Sequence, residues 1–158
     1  MPKIKTLEFK RTMESTPVPR RGSAEAAGFD LGLPSDVLIH PGHVVMVDMG
    51  IAFNIPEGHY LEVNPRSSTC DAKDSAGNLL NQHIVVLANT VGVIDSDYTG
   101  SIRLRLTNNG TDTYLGYAGD FIMQAILKEF TQVEELVEVN EISKQTDRGD
   151  KNFGSTDG

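Results

Sequence analysis

The chain carries one cysteine, Cys70, and no tryptophan. A single thiol excludes an intrachain disulfide and any zinc site built from several cysteines. It fits a reducing, cytoplasmic compartment. Aromatic residues are sparse, at 6 %. No stretch approaches the roughly 18 consecutive apolar residues of a membrane span, so no membrane association is expected. The opening MPKIKTLEFKR is basic but has no apolar segment behind it, so no secretory leader is expected either. Positive charge is scarce: 14 Lys and Arg face 22 Asp and Glu, a net charge of −8. A general basic footprint is absent, and no direct nucleic-acid binding is expected. An acidic chain that binds a polyanion must gather cations locally or recruit a metal ion. Neither a P-loop nor a dinucleotide fingerprint occurs.

What is present is enough apolar material, 39 % of 158 residues, for one core. Turn signals are frequent, among them Pro41-Gly42, Pro56-Glu57-Gly58, Thr99-Gly100 and Asn108-Asn109-Gly110. Short runs rich in β-branched residues lie between such turns: Val37–Ile39, Val44–Val47, Ile51–Ile55, Tyr60–Val63, Ile84–Ala88, Ile102–Thr107 and Phe121–Leu127. This spacing predicts an all-β sandwich or barrel. Ile102, Leu104 and Leu106 alternate with Arg103, Arg105 and Thr107, one face inward and one wet. Phe121–Leu127 is apolar on both faces except for Gln124, which needs hydrogen-bond partners if buried. Val133–Ile142 is ambiguous between helical and alternating spacing. From Ser143 the chain turns polar and glycine-rich, which predicts a β domain over 1–142 and a mobile arm over 143–158.

Five segments carry candidate chemistry. Gly92-Val93-Ile94-Asp95-Ser96-Asp97-Tyr98-Thr99-Gly100 brackets a carboxylate and an aromatic ring between glycines. It reads as a hairpin with an ordinary turn, or as a general base beside a ring that packs on a planar or sugar ligand. Pro65-Arg66-Ser67-Ser68 offers a guanidinium fork and two hydroxyls to phosphate oxygens, or is a surface turn. Ala27-Gly28-Phe29-Asp30-Leu31 puts an Asp just after a close-packing glycine. Gly119-Asp120-Phe121-Ile122-Met123-Gln124 opens the two-faced strand. The tail holds Arg148, Phe153 and Ser155 among glycines, a composition that can grip phosphates and stack on a base.

In order and spacing these five segments resemble the motifs of the trimeric dUTP pyrophosphatases, the dUTPases, over Ala27 to Gly158. The resemblance implies a jelly-roll-like β-clip barrel assembled as a homotrimer, each site built from more than one chain. It implies hydrolysis of dUTP to dUMP and pyrophosphate, which keeps uracil out of DNA and supplies dUMP for thymidylate synthesis. Asp95 is then the base that holds the attacking water. Arg66, Ser67, Ser68, Gln124, Arg148 and Ser155 contact phosphates. Asn89, Val93, Ile94 and Arg103 read uracil, Tyr98 lies under the deoxyribose, and Phe153 with Gly154 covers the base. The implied cofactor is Mg²⁺, held mainly through substrate phosphates and waters with Asp30 as a candidate outer-shell contact. Phe121–Leu127 and Val133–Val139 suit a buried threefold interface.

Three features depart from the family pattern. Phe121 stands where a basic residue is usual. Asp150, Lys151 and Asn152 fill a stretch usually richer in glycine. Cys70–Leu80 lengthens the segment after the second motif, as in some phage-type relatives. The last leaves room for a regulatory protein partner, in addition to catalysis or replacing it. Two other rivals are a dCTP deaminase, which shares the fold but needs a different constellation, and a plain structural sandwich.

Overall fold

The computed structural model describes residues 4, 6–70, 72–73, 79–80 and 84–150. In chain order the elements are β1 (Glu8–Arg11), β2 (Phe29–Gly32), β3 (Val37–Ile39), β4 (Val44–Asp48), β5 (Ile51–Asn54) and β6 (His59–Pro65), followed by the single-turn helix α1 (Ser67–Cys70). Then come β7 (Ala72–Lys73), β8 (Leu79–Leu80), β9 (Val85–Leu87), β10 (Gly92–Asp95), β11 (Arg103–Asn108), β12 (Tyr114–Gly116) and β13 (Phe121–Glu129). The seven expected strands all form, shifted by a residue or two at their ends.

The architecture is an all-β sandwich of the jelly-roll kind. One sheet has the order β10-β6-β13-β2 and the other β4-β11-β9, with the pairs β1-β5, β12-β3 and β7-β8 beside them. All pairings are antiparallel. The alternation in β11 does what period two requires: Leu104 and Leu106 are buried, while Arg103 and Arg105 are exposed. They meet Leu61, Val63, Met123 and Ala125 of the other sheet in one apolar core. Truncating such a fully buried leucine typically costs about 2–5 kcal/mol.

Strand β13 is the hinge of the layout. It pairs with β2 on one side and β6 on the other, and a register shift falls between Phe121 and Met123. Pairing on both edges makes it a central strand, but the expected coverage of both faces is not seen among the described residues: Ile122, Met123 and Ala125 are buried, while Phe121, Gln124, Ile126 and Leu127 are half-buried. Gln124, half-buried, donates from Nε2 to the Pro65 carbonyl at 3.2 Å, which supplies the partner its position demanded. Gly28 lets β2 approach: a Cβ there would lie 2.7 Å from the Ala125 carbonyl oxygen.

Two expectations need correction. The Gly92–Gly100 segment is not a hairpin. β10 pairs with β6, whereas β11 pairs with β4 and β9, so the turn after Asp95 carries the chain from one sheet to the other. The ambiguous Val133–Ile142 is neither helix nor strand. Its apolar side chains are exposed, Leu136 at 92 % and Ile142 at 82 %, because nothing among the described residues covers them.

Candidate active site

The turn between the sheets builds a recess. Asn89, Gly92, Val93, Ile94 and Arg103 line a cavity of about 350 Å³ together with Met46 and Arg105. Val93, Ile94 and Arg103 also wall an adjoining cavity of about 210 Å³, whose remaining lining is Asp95 and Tyr98. Every residue assigned to uracil or the sugar, the tail aside, therefore stands around one continuous wall, with the Asp95 carboxylate at its exposed lip.

Local chemistry fixes that wall. The Tyr98 backbone N–H donates to the Asp95 carbonyl at 3.1 Å, closing the turn. The Tyr98 hydroxyl donates to the Ser101 carbonyl at 2.7 Å, which folds the ring back over the turn. Gly100 permits this fold, since a Cβ there would lie 2.8 Å from the Tyr98 hydroxyl oxygen. Ser101 in turn donates its hydroxyl to Asp48 Oδ1. Asp48 also accepts from the Gly50 N–H at 2.9 Å and faces Arg103 Nε at 3.5 Å. The Ser101 hydroxyl, aided by the Gly50 N–H and the Arg103 guanidinium, holds the Asp48 carboxyl below its ordinary range. Asp48 and Ser101 escaped the sequence reading. Only the β4–β11 pairing, which the sequence does not reveal, sets Asp48 opposite the outward Arg103 as a cross-strand pair.

A second group of assigned residues gathers elsewhere. Arg66 is drawn to Asp30, Nε to Oδ1 3.1 Å, and its Nη1 donates to the Phe121 carbonyl at 2.6 Å. Arg20 approaches the other Asp30 oxygen at 4.0 Å and lies 3.9 Å over the Phe121 ring. A cation thus does stand at Phe121, but it comes from the segment before β2. Ser67 and Ser68 open α1, which is anchored by Thr69 donating to the Ile122 carbonyl at 2.7 Å. Ser68 also lines a cavity of about 210 Å³ with Phe121 and Asp120.

The two groups do not meet within one chain. Asp95 is level with Tyr60 and Lys128 in the sheet, whereas Gln124 is level with Asn64 and Asp30. Two strand spacings across and four residues along separate Asp95 from Gln124 by roughly 16 Å between Cα atoms. Their side chains cannot touch the same phosphate. Arg148 is exposed, within a turn in which the Gly149 N–H donates to the Thr146 carbonyl at 3.1 Å. Phe153, Gly154 and Ser155 lie outside the described residues. No cluster of three or more His, Cys, Asp or Glu suited to a metal occurs among the described residues. No helix among them is long and apolar enough to cross a membrane.

A β-sandwich with a carboxylate and an aromatic ring at the mouth of a strand-lined recess fits an enzyme that acts on a small ligand. A family model described as dUTPase matches residues 14–157. The deoxyuridine 5'-triphosphate nucleotidohydrolase of Nautilia profundicola is 35 % identical over 150 residues, 95 % of this chain and 97 % of that protein. The protein of the same name from Helicobacter hepaticus is 36 % identical over 150 residues, 95 % of this chain and 87 % of its own. Among solved structures, the dUTPase of Staphylococcus bacteriophage 80alpha with dUPNHPP matches at TM-score 0.80 and 22 % identity, over 97 % of this chain and 99 % of that one. The dUTPase of phage phi11 of S. aureus matches at TM-score 0.72 and 21 % identity, over 89 % and 100 %. The chain belongs to the dUTPase family.

Proposed function

We propose that the protein hydrolyses dUTP to dUMP and pyrophosphate, and that it does so as a homotrimer. The observation that carries this reading is the shared wall of Val93, Ile94, Asp95, Tyr98 and Arg103, in a chain that belongs to the dUTPase family. The recess is shallow and apolar, suited to a pyrimidine edge-on to β10. On this reading the strand backbone beside Val93 and Ile94 excludes a 5-methyl group. Tyr98, 44 % exposed with its hydroxyl tied to Ser101, offers a fixed ring face to a deoxyribose and is the residue that would reject a 2′-hydroxyl.

The α-phosphorus carries negative charge around it and repels an anionic nucleophile, so neutral water must lose its proton as it attacks. Asp95 accepts that proton while holding the water in line. Arg66, Ser67, Ser68 and Gln124 neutralise and orient the phosphates, and Arg148 with Ser155 closes over them. Phe153 and Gly154 cap the uracil. The rough 16 Å separation of Asp95 from Gln124 supports a site shared between copies, with β10 of one chain facing β13 and α1 of another. Exposed Val133, Leu136 and Val137 are suited to burial between copies.

The donor set also bears on magnesium. A mutant phi11 dUTPase is described as revealing the coordination of a structural Mg(II) ion. In this chain Asp30 faces two guanidiniums, so it suits placing Arg66 better than contacting a cation. An ion bound through substrate oxygens and water fits the residues present, and when bound it supplies charge neutralisation for the leaving pyrophosphate.

Pyrophosphate release with Mg²⁺, compared across dUTP, dTTP, UTP and dCTP, tests the assignment. Release from dUTP alone is expected. Intact dUTP refutes it, and ammonia from dCTP would favour the deaminase instead.

A second reading adds regulation to catalysis. Among the described residues β7 and β8 pair with each other and with neither main sheet, and they fall in the chain between α1 and β9. Such an appendage is suited to a protein partner. Deleting 72–80 tests it: catalysis should survive and partner capture should be lost.

A further inference from the structure

Arg20 is fixed in position by its backbone. Its N–H donates to the Asp30 carbonyl at 3.3 Å, and the Asp30 N–H donates back to the Arg20 carbonyl at 2.7 Å. This isolated antiparallel bridge pins Arg20 beside β2. The side chain then lies over the Phe121 ring at 3.9 Å, with Nε 4.0 Å from Asp30 Oδ2. Stacking holds a guanidinium plane by its face and leaves its edge free for other groups.

The charge count around Asp30 does not close. One carboxylate faces two guanidiniums, Arg66 and Arg20. Arg66 bonds Asp30 and the Phe121 carbonyl with part of its guanidinium, and its side chain is 27 % exposed, which leaves it a smaller open edge for phosphate than Arg20 has. Arg20 is 60 % exposed, and its Nη atoms make no hydrogen bond among the described residues. The neighbouring Arg21 is partly spent on the Ala24 carbonyl at 3.1 Å. In a chain of net charge −8, this leaves Arg20 as a forked cationic donor facing solvent. Phe121 places it near the phosphate group, because the residue beneath Arg20 also lines the cavity of Ser68, which the Asp120 carboxylate shares.

We infer that Arg20 is a further phosphate-binding residue, presenting its guanidinium edge to the polyphosphate of the substrate from the platform of Phe121. This rests on the dUTP reading above for the identity of the anion. The alternative is that Arg20 only shields Asp30 and adds stability.

Inhibition by inorganic pyrophosphate separates the two. Wild type, Arg20→Gln, Arg20→Lys and Phe121→Leu are assayed with dUTP, with pyrophosphate and dUMP as inhibitors, and each is unfolded in urea. Arg20→Gln is expected to raise KM for dUTP and the pyrophosphate inhibition constant about tenfold. It should leave kcat within about twofold and flatten the dependence of KM on salt. Arg20→Lys keeps the charge but not the planar fork and should recover only part of the loss, and Phe121→Leu should fall between wild type and Arg20→Gln. Unchanged pyrophosphate inhibition in Arg20→Gln overturns the inference, whether or not stability drops. Where Arg20→Gln does not fold, unchanged inhibition in Phe121→Leu overturns it. If wild type leaves dUTP intact, the functional reading fails by itself. Direct binding of pyrophosphate to wild type and Arg20→Gln then decides Arg20: tenfold weaker binding in the variant upholds it, and equal or absent binding ends it.

Discussion

Arg103 stands directly across the β4–β11 ladder from Asp48, its Nε 3.5 Å from Asp48 Oδ2. The same carboxylate takes the Ser101 hydroxyl, and the Ser101 carbonyl takes the Tyr98 hydroxyl. One carboxylate therefore sets two walls of the recess. Asp48→Asn keeps an oxygen for Ser101 but turns an amide toward Arg103. The expected loss of stability is small, about 1 kcal/mol, because Arg103 is 65 % exposed and water screens the pair. KM for dUTP should rise several-fold with kcat nearly unchanged. The folded-state carboxyl lies below its ordinary value of 3.8, held there first by the Ser101 hydroxyl. Its stabilisation is thus complete above that value and lost as pH falls through the lowered one. Urea unfolding across the acid range should show a shallower acid limb in Asp48→Asn.

Asp95 ends β10 and is exposed at the lip of the recess. Asp95→Asn preserves size and hydrogen bonding but removes the proton acceptor. Turnover should fall by about 10² to 10⁴-fold. Affinity for a non-hydrolysable dUTP analogue, measured by calorimetry, should change little. Turnover near the wild-type rate removes Asp95 from the role of base.

Much of this was legible before any coordinates. The alternation of Ile102–Thr107 and the two-faced run Phe121–Leu127 gave strands in the right places, because burial on one or two faces writes directly into side-chain period. Asp95, Tyr98 and Arg103 come together as expected because only a tight turn and one strand end separate them. Pairing was less legible. Two glycines around a turn suggest a hairpin, yet β10 and β11 part into different sheets, and that choice rests on long-range partners. Glu8–Arg11 and Tyr114–Gly116 were missed because charge in the one and glycine in the other hide the β-branched signal that marked the equally short Val37–Ile39. Val133–Ile142 stayed ambiguous because no described residue covers its apolar side chains.

Tyr98 holds its position through a hydroxyl bond and acts through its ring face, and two variants separate these. Tyr98→Phe loses the bond to the Ser101 carbonyl, a change of about 1 kcal/mol, but keeps the ring. Tyr98→Ala loses both. The ratio of kcat/KM for dUTP over UTP should fall about tenfold or more in Tyr98→Ala. It should fall less in Tyr98→Phe. An unchanged ratio in the alanine variant would take sugar discrimination away from this residue.

Tyr114 lines the cavity of Ser68 and also reports on the fold. Burial pushes its phenol from 10.0 up to about 12, with the Asp120 charge adding to the shift. The unfolded chain therefore ionises first. Stability is full below the ordinary tyrosine value and lost as pH rises from there through about 12. The ceiling on that loss is about 3 kcal/mol. In alkaline urea melts, Tyr114→Phe should show a weaker decline than wild type over that window.

The arm after Thr146 contributes, on this reading, Arg148 to the phosphates and Phe153 to the base. Its ordering over a bound substrate costs conformational entropy but excludes water from the reacting phosphorus. A chain ending at Thr146 removes both contacts and leaves every strand of the two main sheets intact. The loss in kcat/KM should reach about 10²-fold, as expected when a reacting group is no longer held in place. The thermal midpoint should stay within about 2 °C of wild type, since the residues from 143 to 150 are exposed. Retained activity in the truncated chain would mean that the arm stands apart from catalysis. A collapsed midpoint would mean that it anchors the assembly, and mixing the truncated chain with an Asp95→Asn full-length chain would then show whether arm and base act from different copies. Activity above that of either alone is the outcome a shared site requires.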